Sequence, residues 1–351
     1  MVRLTKNGIL MLNFYNDINM TSSCICNFKC SYCNIRNCGT EIKPITRQQF
    51  IQTKILWNLL AGINDRIHVR INFNGEIFVD KWAKECVFYI NQIPNVDVCE
   101  IVTNNSINPK LYLNKLDLTK TSFSCSFHPE FISLQKFLKN ILIIKNSGCK
   151  VHASIVCAPH IINKIPKIYH IFKNNNIILR LQAFRTQSFR YLGKKYPRDY
   201  TPQERKILKE YFYSNEEYNH KVDLKSSKGL NCFAGVDIIT LSIDGSIRRC
   251  LTGKIGKNSQ EKQKLFKYLP EKLNNIVDNT LKNTFLNKFT VKFFHKETKI
   301  EDLIAGKVKL EKEPYPCHEN ICECLPNLSA LEDFRKKYRL SKNFVDLYEL
   351  A

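Results

Sequence analysis

The chain has 351 residues, a formal net charge of +22 and 44% hydrophobic residues, which is ordinary for a globular protein of one large or two modest domains. No apolar run approaches the ~20 residues of a membrane span, and no secretory leader opens the sequence. These features exclude membrane, collagen-like, disordered and secreted disulfide-rich proteins, and they predict a soluble cytoplasmic protein.

The positive charge has two interpretations. One is a basic surface for nucleic acid. However, 40 of the 54 basic residues are Lys, whereas phosphate-binding surfaces more often use Arg. Abundant Lys, Asn and Ile are typical of proteins encoded by AT-rich genomes, so the sequence favours compositional bias over a dedicated nucleic-acid surface.

Short strand-like runs alternate with amphipathic helical stretches between about residues 21 and 185, which indicates βα units and a parallel sheet. Several strands are polar on one face, as in Arg70 and Asn72. An antiparallel sheet with one solvent-exposed face is the alternative. The helices between the strands instead favour a curved, open barrel around a polar cavity. The predicted helices cover residues 48–60, 81–91, 133–146 and 161–172, and the strands cover 68–76, 122–128, 151–157 and 178–184.

The composition and the predicted elements of the sequence change after the βα region. A basic, aromatic-rich stretch includes a predicted helix over residues 202–213, and residues 237–249 predict a β-hairpin with an Asp244–Gly245 turn. We therefore expect an α/β partial barrel followed by a small α+β unit. The predicted divisions are the barrel at 1–190, a bridge at 191–229, the α+β unit at 230–328 and a helical tail at 329–351.

The fifteen cysteines carry most of the functional signal, because clustered cysteines in a reducing cytosol indicate metal or iron–sulfur ligands. Cys26, Cys30 and Cys33 form a C-x3-C-x2-C spacing directly after the first predicted strand. Three such thiolates can hold three irons of a [4Fe–4S] cluster and leave the fourth open. A zinc site is the alternative, although structural zinc usually takes four ligands in two pairs. Cys24 could compete with Cys26 as a ligand.

This segment, with Tyr32 before its last cysteine, resembles the motif of the radical S-adenosylmethionine (radical SAM) superfamily, and the resemblance covers roughly residues 18–190. It implies a partial (β/α)6 TIM-like barrel in which the open iron chelates the amino and carboxylate groups of S-adenosylmethionine. It also implies cleavage of that cofactor by one electron to a 5′-deoxyadenosyl radical, which removes a hydrogen atom from the substrate.

The resemblance also implies cofactor contacts. Gly75 and Glu76 match the family's Gly-Gly-Glu near the cofactor's amino group, while Asn74 departs from it. His128, at the end of its predicted strand, is a candidate acid–base residue, with a loop or capping histidine as the alternative. The remaining candidates are Tyr32 at the adenine, Thr103, Asn104, Ser124 and Ser126 at the ribose and carboxylate, and Arg180 and Arg185 at the carboxylate or the substrate.

A second group of cysteines lies toward the carboxyl end. Cys232 and Cys250 flank the predicted hairpin in a C-x12-G-x4-C spacing, and Cys317, Cys322 and Cys324 follow. The arrangement resembles the auxiliary-cluster extension of radical SAM enzymes, called SPASM in its long form and Twitch in its short form, although the long form has more cysteines. It implies one auxiliary [4Fe–4S] cluster held by the first pair and two of the last three, for which we choose Cys322 and Cys324. A zinc site is the alternative.

Relatives with such extensions commonly modify peptides or protein side chains, and others act on small alcohols and sugars. We therefore expect a radical SAM enzyme of the oxidoreductase type acting on a peptide or protein side chain, with a sugar-like or nucleotide-like metabolite as the alternative. A non-enzymatic metal-cluster protein that binds nucleic acid is a third hypothesis. A low-potential electron donor such as flavodoxin or ferredoxin is an expected partner, and a peptide substrate could require a separate recognition protein.

Overall fold

The computed structural model describes residues 3–17, 22–186 and 189–250, together with 291–293, 296–298, 305, 310, 313–317 and 331. Its centre is an eight-stranded sheet in the order β8-β7-β1-β2-β3-β4-β5-β6. Neighbours from β7 through β6 are parallel, and β8 is antiparallel to β7. The strands are β1 Ile9–Tyr15, β2 Arg66–Ile71, β3 Val96–Thr103, β4 Thr121–Phe127, β5 Lys150–Cys157, β6 Leu179–Ala183, β7 Ile238–Ser242 and β8 Ile247–Arg248.

Helical segments separate the six consecutive parallel strands, as parallel pairing requires. The predicted helix at 81–91 has the predicted bounds. The predicted helix at 161–172 is instead two helices, because Pro166 lacks an N–H and stands in the first turn of the second one. The helices are α1 Asn34–Asn37, α2 Arg47–Ala61, α3 Lys81–Asn91, α4 Leu134–Asn146, α5 Pro159–Ile162, α6 Ile165–Asn174, α7 Pro202–Tyr211 and α8 Asn215–Lys221, with 3-10 turns at Pro109–Leu111 and Leu113–Lys115.

Capping residues fix where the long helices begin. Thr46 and Gln49 form a capping box at the start of α2, and the Asp80 carboxylate accepts hydrogen bonds from the first turn of α3. The apolar sides of these helices pack on one face of the sheet, where Trp57 meets Phe14 edge-on with ring centroids 5.6 Å apart. This face forms the core, and the polar face predicted from the sequence is left for the other side of the sheet.

The predicted hairpin forms and joins the same sheet, since β7 pairs with β1 in register from Met11 opposite Ile238 to Tyr15 opposite Ser242. The sheet therefore has β8 and β6 as its edges in the described part of the chain and is open. This confirms the predicted α/β partial barrel. Short paired strands lie at Ser22–Ser23 with Glu41–Ile42, Asn231–Cys232 with Tyr315–Pro316, and Val291–Phe293 with Lys296–Thr298.

The predicted helical tail, at 329–351, lies outside the described residues apart from Leu331, which forms a β-bridge with Cys232. None of the helices in the described part of the chain combines the length and apolarity needed to cross a bilayer.

Candidate active site

A cavity of about 540 Å³ lies on the polar side of the sheet. Its lining extends from Asn13 of β1 to Gln182 of β6, so the sheet curves around it, and α8 contributes Glu217. The residues that follow β2 and β3 and the loop carrying Cys26, Cys30 and Cys33 complete the wall. The size is that of a small-molecule site, and it lies where parallel α/β sheets place their ligands.

Cys26, Cys30 and Cys33 all line this cavity with free thiols. The amide nitrogen of Asn104 lies 3.9 Å from the Cys26 sulfur, and Nδ1 of His128 lies 3.5 Å from the Cys30 sulfur. Burial raises the pKa of Cys30 to about 12 and raises that of Cys26, so both stay protonated unless a metal binds the thiolate.

The cysteine loop offers three thiols as metal donors. In the part of the chain that the structure describes, no three His, Cys, Asp or Glu side chains converge closely enough to hold one metal ion. A tetrahedral zinc would draw its sulfurs to within about 4 Å of each other, given Zn–S bonds of about 2.3 Å. A [4Fe–4S] cluster bonds each thiolate to a different iron and spaces the sulfurs farther apart. Three cysteine thiols lining one cavity are donors of the type that such a cluster takes.

Cys24 lies outside the described cavity lining and is fully buried. Its carbonyl oxygen and sulfur lie so close to Gly75 that a Cβ on that residue would overlap both atoms. The φ angle of Gly75 is +153°. Glycine at this position therefore lets the segment after β2 approach the beginning of the cysteine loop. Gly75 itself lines the cavity.

Glu76 is positioned differently from the other predicted cofactor contacts. It is fully buried outside the cavity lining, and its carboxylate accepts hydrogen bonds from the Thr103 hydroxyl at 2.8 Å, the Phe78 N–H at 3.1 Å and the Asn104 N–H. Burial raises the pKa of this carboxyl. In this structure Glu76 joins the end of β2 to the end of β3 and so holds the Thr103–Asn104 segment against the cavity.

His128 lies beside the cysteine loop. Its ring stacks on Tyr32 at 5.9 Å between centroids, and its Nδ1 is 3.0 Å from the Tyr32 hydroxyl. Burial lowers the pKa of His128 to about 4, so the ring is neutral at physiological pH. The cavity brings His128 together with eight predicted cofactor contacts: Tyr32, Gly75, Thr103, Asn104, Ser124, Ser126, Arg180 and Arg185.

Two buried ion pairs that the sequence reasoning missed as site features lie along the inner strand faces. Arg70 pairs with Glu100 and also donates to Ser124, while Arg180 donates to both carboxylate oxygens of Glu217 at 2.8 and 2.7 Å. The sequence pattern had already placed Arg70 on the polar face of a predicted strand. Glu217 carried no local signal, because α8 reaches the cavity only through the tertiary fold. Of the other lining residues, Asn13, Tyr15 and Lys221 were missed, whereas strand faces predicted to be polar and to line the cavity carry Asn72, His152, Ser154 and Gln182.

Three of the five predicted auxiliary ligands lie in one small group of packed side chains. Cys232 and Cys317 are buried together, and Cys250 packs against them. Cys317 is held in place by its backbone, whose N–H donates to Leu230 at 2.7 Å and whose carbonyl accepts from Gly229 at 2.8 Å. Cys322 and Cys324 lie outside the described residues.

No protein-family model matches the chain, and a search of curated proteins finds no match. Among solved structures, the chain is similar to native anSMEcpe with bound AdoMet (S-adenosylmethionine), at 14% identity over 68% of this chain and 74% of that one, with a TM-score of 0.47. It is also similar to BtrN in complex with AdoMet and 2-DOIA, at 12% identity over 72% and 75%, with a TM-score of 0.34. These values are too low to assign an activity. Both of these structures contain bound AdoMet.

Proposed function

We propose that this chain is a radical SAM enzyme, with a [4Fe–4S] cluster bound by Cys26, Cys30 and Cys33 and S-adenosylmethionine bound beside it. The observation that carries the proposal is the presence of these three free thiols in the lining of one cavity of about 540 Å³. When bound there, the cluster and the cofactor would together supply the radical chemistry that removes a hydrogen atom from a substrate.

The chain's own residues prepare the cavity for these groups. Gly75 admits the close approach of the cysteine loop, and Glu76 fixes the backbone of Asn104. Asn104 in turn donates from its side-chain nitrogen to Asn27 at 3.0 Å within the loop. A neutral His128 contributes packing and a hydrogen bond, without adding a positive charge beside the sulfurs.

For the substrate we propose a peptide or protein side chain, with a sugar-like or nucleotide-like metabolite as the second candidate. The polar inner faces of the strands favour a polar group in either case, because an apolar one would leave buried hydrogen-bonding atoms unpaired. The Asn13 Oδ1 atom is one of these: it is buried and has no hydrogen-bond partner among the described residues. A separate peptide-recognition protein would be a partner under the first proposal.

We further propose one auxiliary [4Fe–4S] cluster at Cys232, Cys250 and two of Cys317, Cys322 and Cys324. A shared metal site is supported by the packing of Cys232, Cys250 and Cys317 in one group of side chains. Metal analysis of protein purified without oxygen tests this directly. About 8 Fe per chain is expected for two cubanes, whereas about 4 Fe with one Zn would indicate a structural zinc site instead.

The central test is reductive cleavage of S-adenosylmethionine by anaerobically reconstituted protein with dithionite, followed by chromatographic assay of 5′-deoxyadenosine. We expect product from the wild type and none above background from Cys26→Ala. Cys38→Ala, at an exposed cysteine outside the described cavity lining, serves as the matched control and should retain wild-type turnover. Zinc in place of iron at the cysteine loop, or product formation that survives Cys26→Ala, would refute the proposal.

A further inference from the structure

Two polar side chains meet at the sulfur of Cys30, one of the three proposed cluster ligands. Nδ1 of His128 lies 3.5 Å from this sulfur and 3.0 Å from the Tyr32 hydroxyl. The Tyr32 hydroxyl also hydrogen-bonds the Cys30 thiol, which offsets part of the rise in the thiol's pKa that burial causes. The sulfur, the hydroxyl and the imidazole nitrogen therefore form a closed triangle of polar groups on the cysteine loop.

Aromatic packing holds the two polar side chains in place. The rings of His128 and Tyr32 stack with 5.9 Å between their centroids and 15° between their planes. Phe28 meets the same imidazole edge-on, at 5.9 Å between centroids and with 74° between the planes. Since Phe28 and Tyr32 stand on either side of Cys30 in the sequence, their packing keeps Nδ1 near the sulfur without further ordering of the histidine.

Iron binding at Cys30 would determine how the hydrogens of this triangle are arranged. A cysteine bound to iron is a thiolate, which accepts hydrogen bonds but donates none. A lone pair on Nδ1 would repel the thiolate charge, whereas a hydrogen on Nδ1 would be attracted to it. The Tyr32 hydroxyl can donate its hydrogen to the sulfur and accept through its oxygen from Nδ1. Both groups would then act as donors toward the charge on the Cys30 sulfur.

We propose that His128 and Tyr32 are positioning residues that raise the reduction potential of the cluster by hydrogen-bonding to the Cys30 sulfur. This inference rests on the proposed function, since it requires a [4Fe–4S] cluster on the cysteine loop. Hydrogen bonds to a ligand sulfur withdraw electron density from the cluster and so stabilise its reduced form, which carries one more negative charge. On reduction, one electron passes from the reductant to the cluster, no bond breaks, and both donors keep their protons.

The test is a dithionite titration of the reconstituted holoenzyme with redox mediators at fixed pH, followed by EPR spectroscopy. His128→Phe keeps an aromatic ring beside Tyr32 and Phe28 but removes the Nδ1 donor. We expect its equilibrium constant for reduction to fall about tenfold, which is about 59 mV in the midpoint potential of a one-electron couple. His128→Asn can place an amide N–H where Nδ1 lies, and it should recover at least half of the lost potential.

Tyr32→Phe tests the same triangle with a second, independent variant. It keeps the ring that stacks on His128 and removes only the hydroxyl. Its midpoint potential should also fall, so the inference can still be tested if His128→Phe does not fold. Iron analysis of each variant shows that the cluster is present before potentials are compared, and the cluster on the cysteine loop is the one whose EPR signal changes when S-adenosylmethionine is added.

The direction of the change distinguishes a lost hydrogen bond from a loosened loop. Loss of a donor lowers the potential, whereas water that enters around a loosened loop favours the more highly charged, reduced cluster and raises the potential. His160→Phe is the matched control, because the His160 ring also contacts Tyr32, at 5.7 Å between centroids. The nitrogens of His160 lie beside Glu130 and Tyr191, so this substitution removes no donor at Cys30 and should not lower the potential.

An unchanged or raised potential in His128→Phe or Tyr32→Phe overturns the role of that residue, and an equal fall in His160→Phe overturns both. A fall in His128→Phe that His128→Asn does not reduce also counts against the Nδ1 donor. A wild-type protein that forms no [4Fe–4S] cluster, or whose EPR signal does not respond to S-adenosylmethionine, would instead contradict the proposed function on which this inference rests.

Discussion

Ser31 and Glu130 are joined by two hydrogen bonds: the Ser31 N–H donates to Oε2 at 2.8 Å, and the Ser31 hydroxyl donates to Oε1. His160 Nε2 lies 2.9 Å from the same carboxylate. The Tyr191 hydroxyl lies 3.1 Å from Ser31 Oγ and 3.2 Å from His160 Nδ1, which closes a ring of four side chains. The ring ties the loop between Cys30 and Cys33 to the segments that follow β4, β5 and β6.

Glu130→Ala should therefore loosen the cysteine loop. Loss of a hydrogen-bonded carboxylate removes about 1.5 kcal/mol of local stability, which corresponds to roughly tenfold faster amide exchange across residues 28–33. Hydrogen exchange of the metal-free protein and iron content after reconstitution measure the two consequences. Glu130→Gln keeps one acceptor oxygen and should lie between the wild type and Ala. Wild-type exchange and iron content in the Ala variant would contradict the positioning role.

Gly75→Ala should destabilise the protein far more than an ordinary glycine substitution. The added Cβ would overlap the carbonyl oxygen and sulfur of Cys24, in addition to the strain of a positive φ. We expect a loss of about 3 kcal/mol in the free energy of unfolding, measured by urea titration. Gly148→Ala is the control, because its φ is +89° but a Cβ there meets nothing within 4 Å. Its expected cost is about 1 kcal/mol, and equal costs would show that the contact with Cys24 is unimportant.

The titration of His152 should make stability depend on pH. Burial, then the neighbouring Arg70 and Arg180, lower the pKa of His152 well below 6.5, so it stays neutral in the folded protein. The unfolded chain binds a proton below pH 6.5, and the folded protein therefore loses stability as pH falls, by about 1.4 kcal/mol between pH 7.5 and 5.5.

Urea titrations of the wild type and His152→Asn at these two pH values isolate this contribution. The Asn variant has no titrating group at this position, so the stability advantage of the wild type should shrink by about 1.4 kcal/mol on acidification. A constant difference between the two proteins across this range would show that His152 takes up its proton equally well in the folded state.

Much of the fold was predictable because it depends on local patterns. The helix at 81–91 and the strands near 122–128 and 151–157 follow from apolar periodicity, and the polar strand faces predicted the cavity before any geometry was known. The parallel pairing of β7 with β1 was not predictable, since it joins segments more than 220 residues apart. Pairing over that distance depends on packing, which no short sequence pattern records.

The candidate site divides in the same way. The C-x3-C-x2-C spacing and Gly75 pointed to the cavity wall because their signals lie within a few residues. Glu76 matched a motif, but its carboxylate accepts three hydrogen bonds from its own chain, two of them from Thr103 and Asn104 at the carboxyl end of β3. Such satisfaction of a buried charge is a property of the folded protein and could not be predicted from spacing.

The ion pair of Arg180 and Glu217 shows what that long-range packing contributes to stability. Both side chains are buried, at 4% and 3% exposure, so Glu217→Ala leaves a buried guanidinium without its carboxylate. The expected loss is about 3–5 kcal/mol in the free energy of unfolding, measured by urea titration. Asp223→Ala provides the matched control, because it breaks a pair of the same 2.7 Å length with Arg205 at a site that is 29% and 45% exposed. That loss should stay below about 1 kcal/mol, since water replaces the lost partner. Similar losses in the two variants would mean that water reaches Arg180, and that α8 does not seal this side of the cavity.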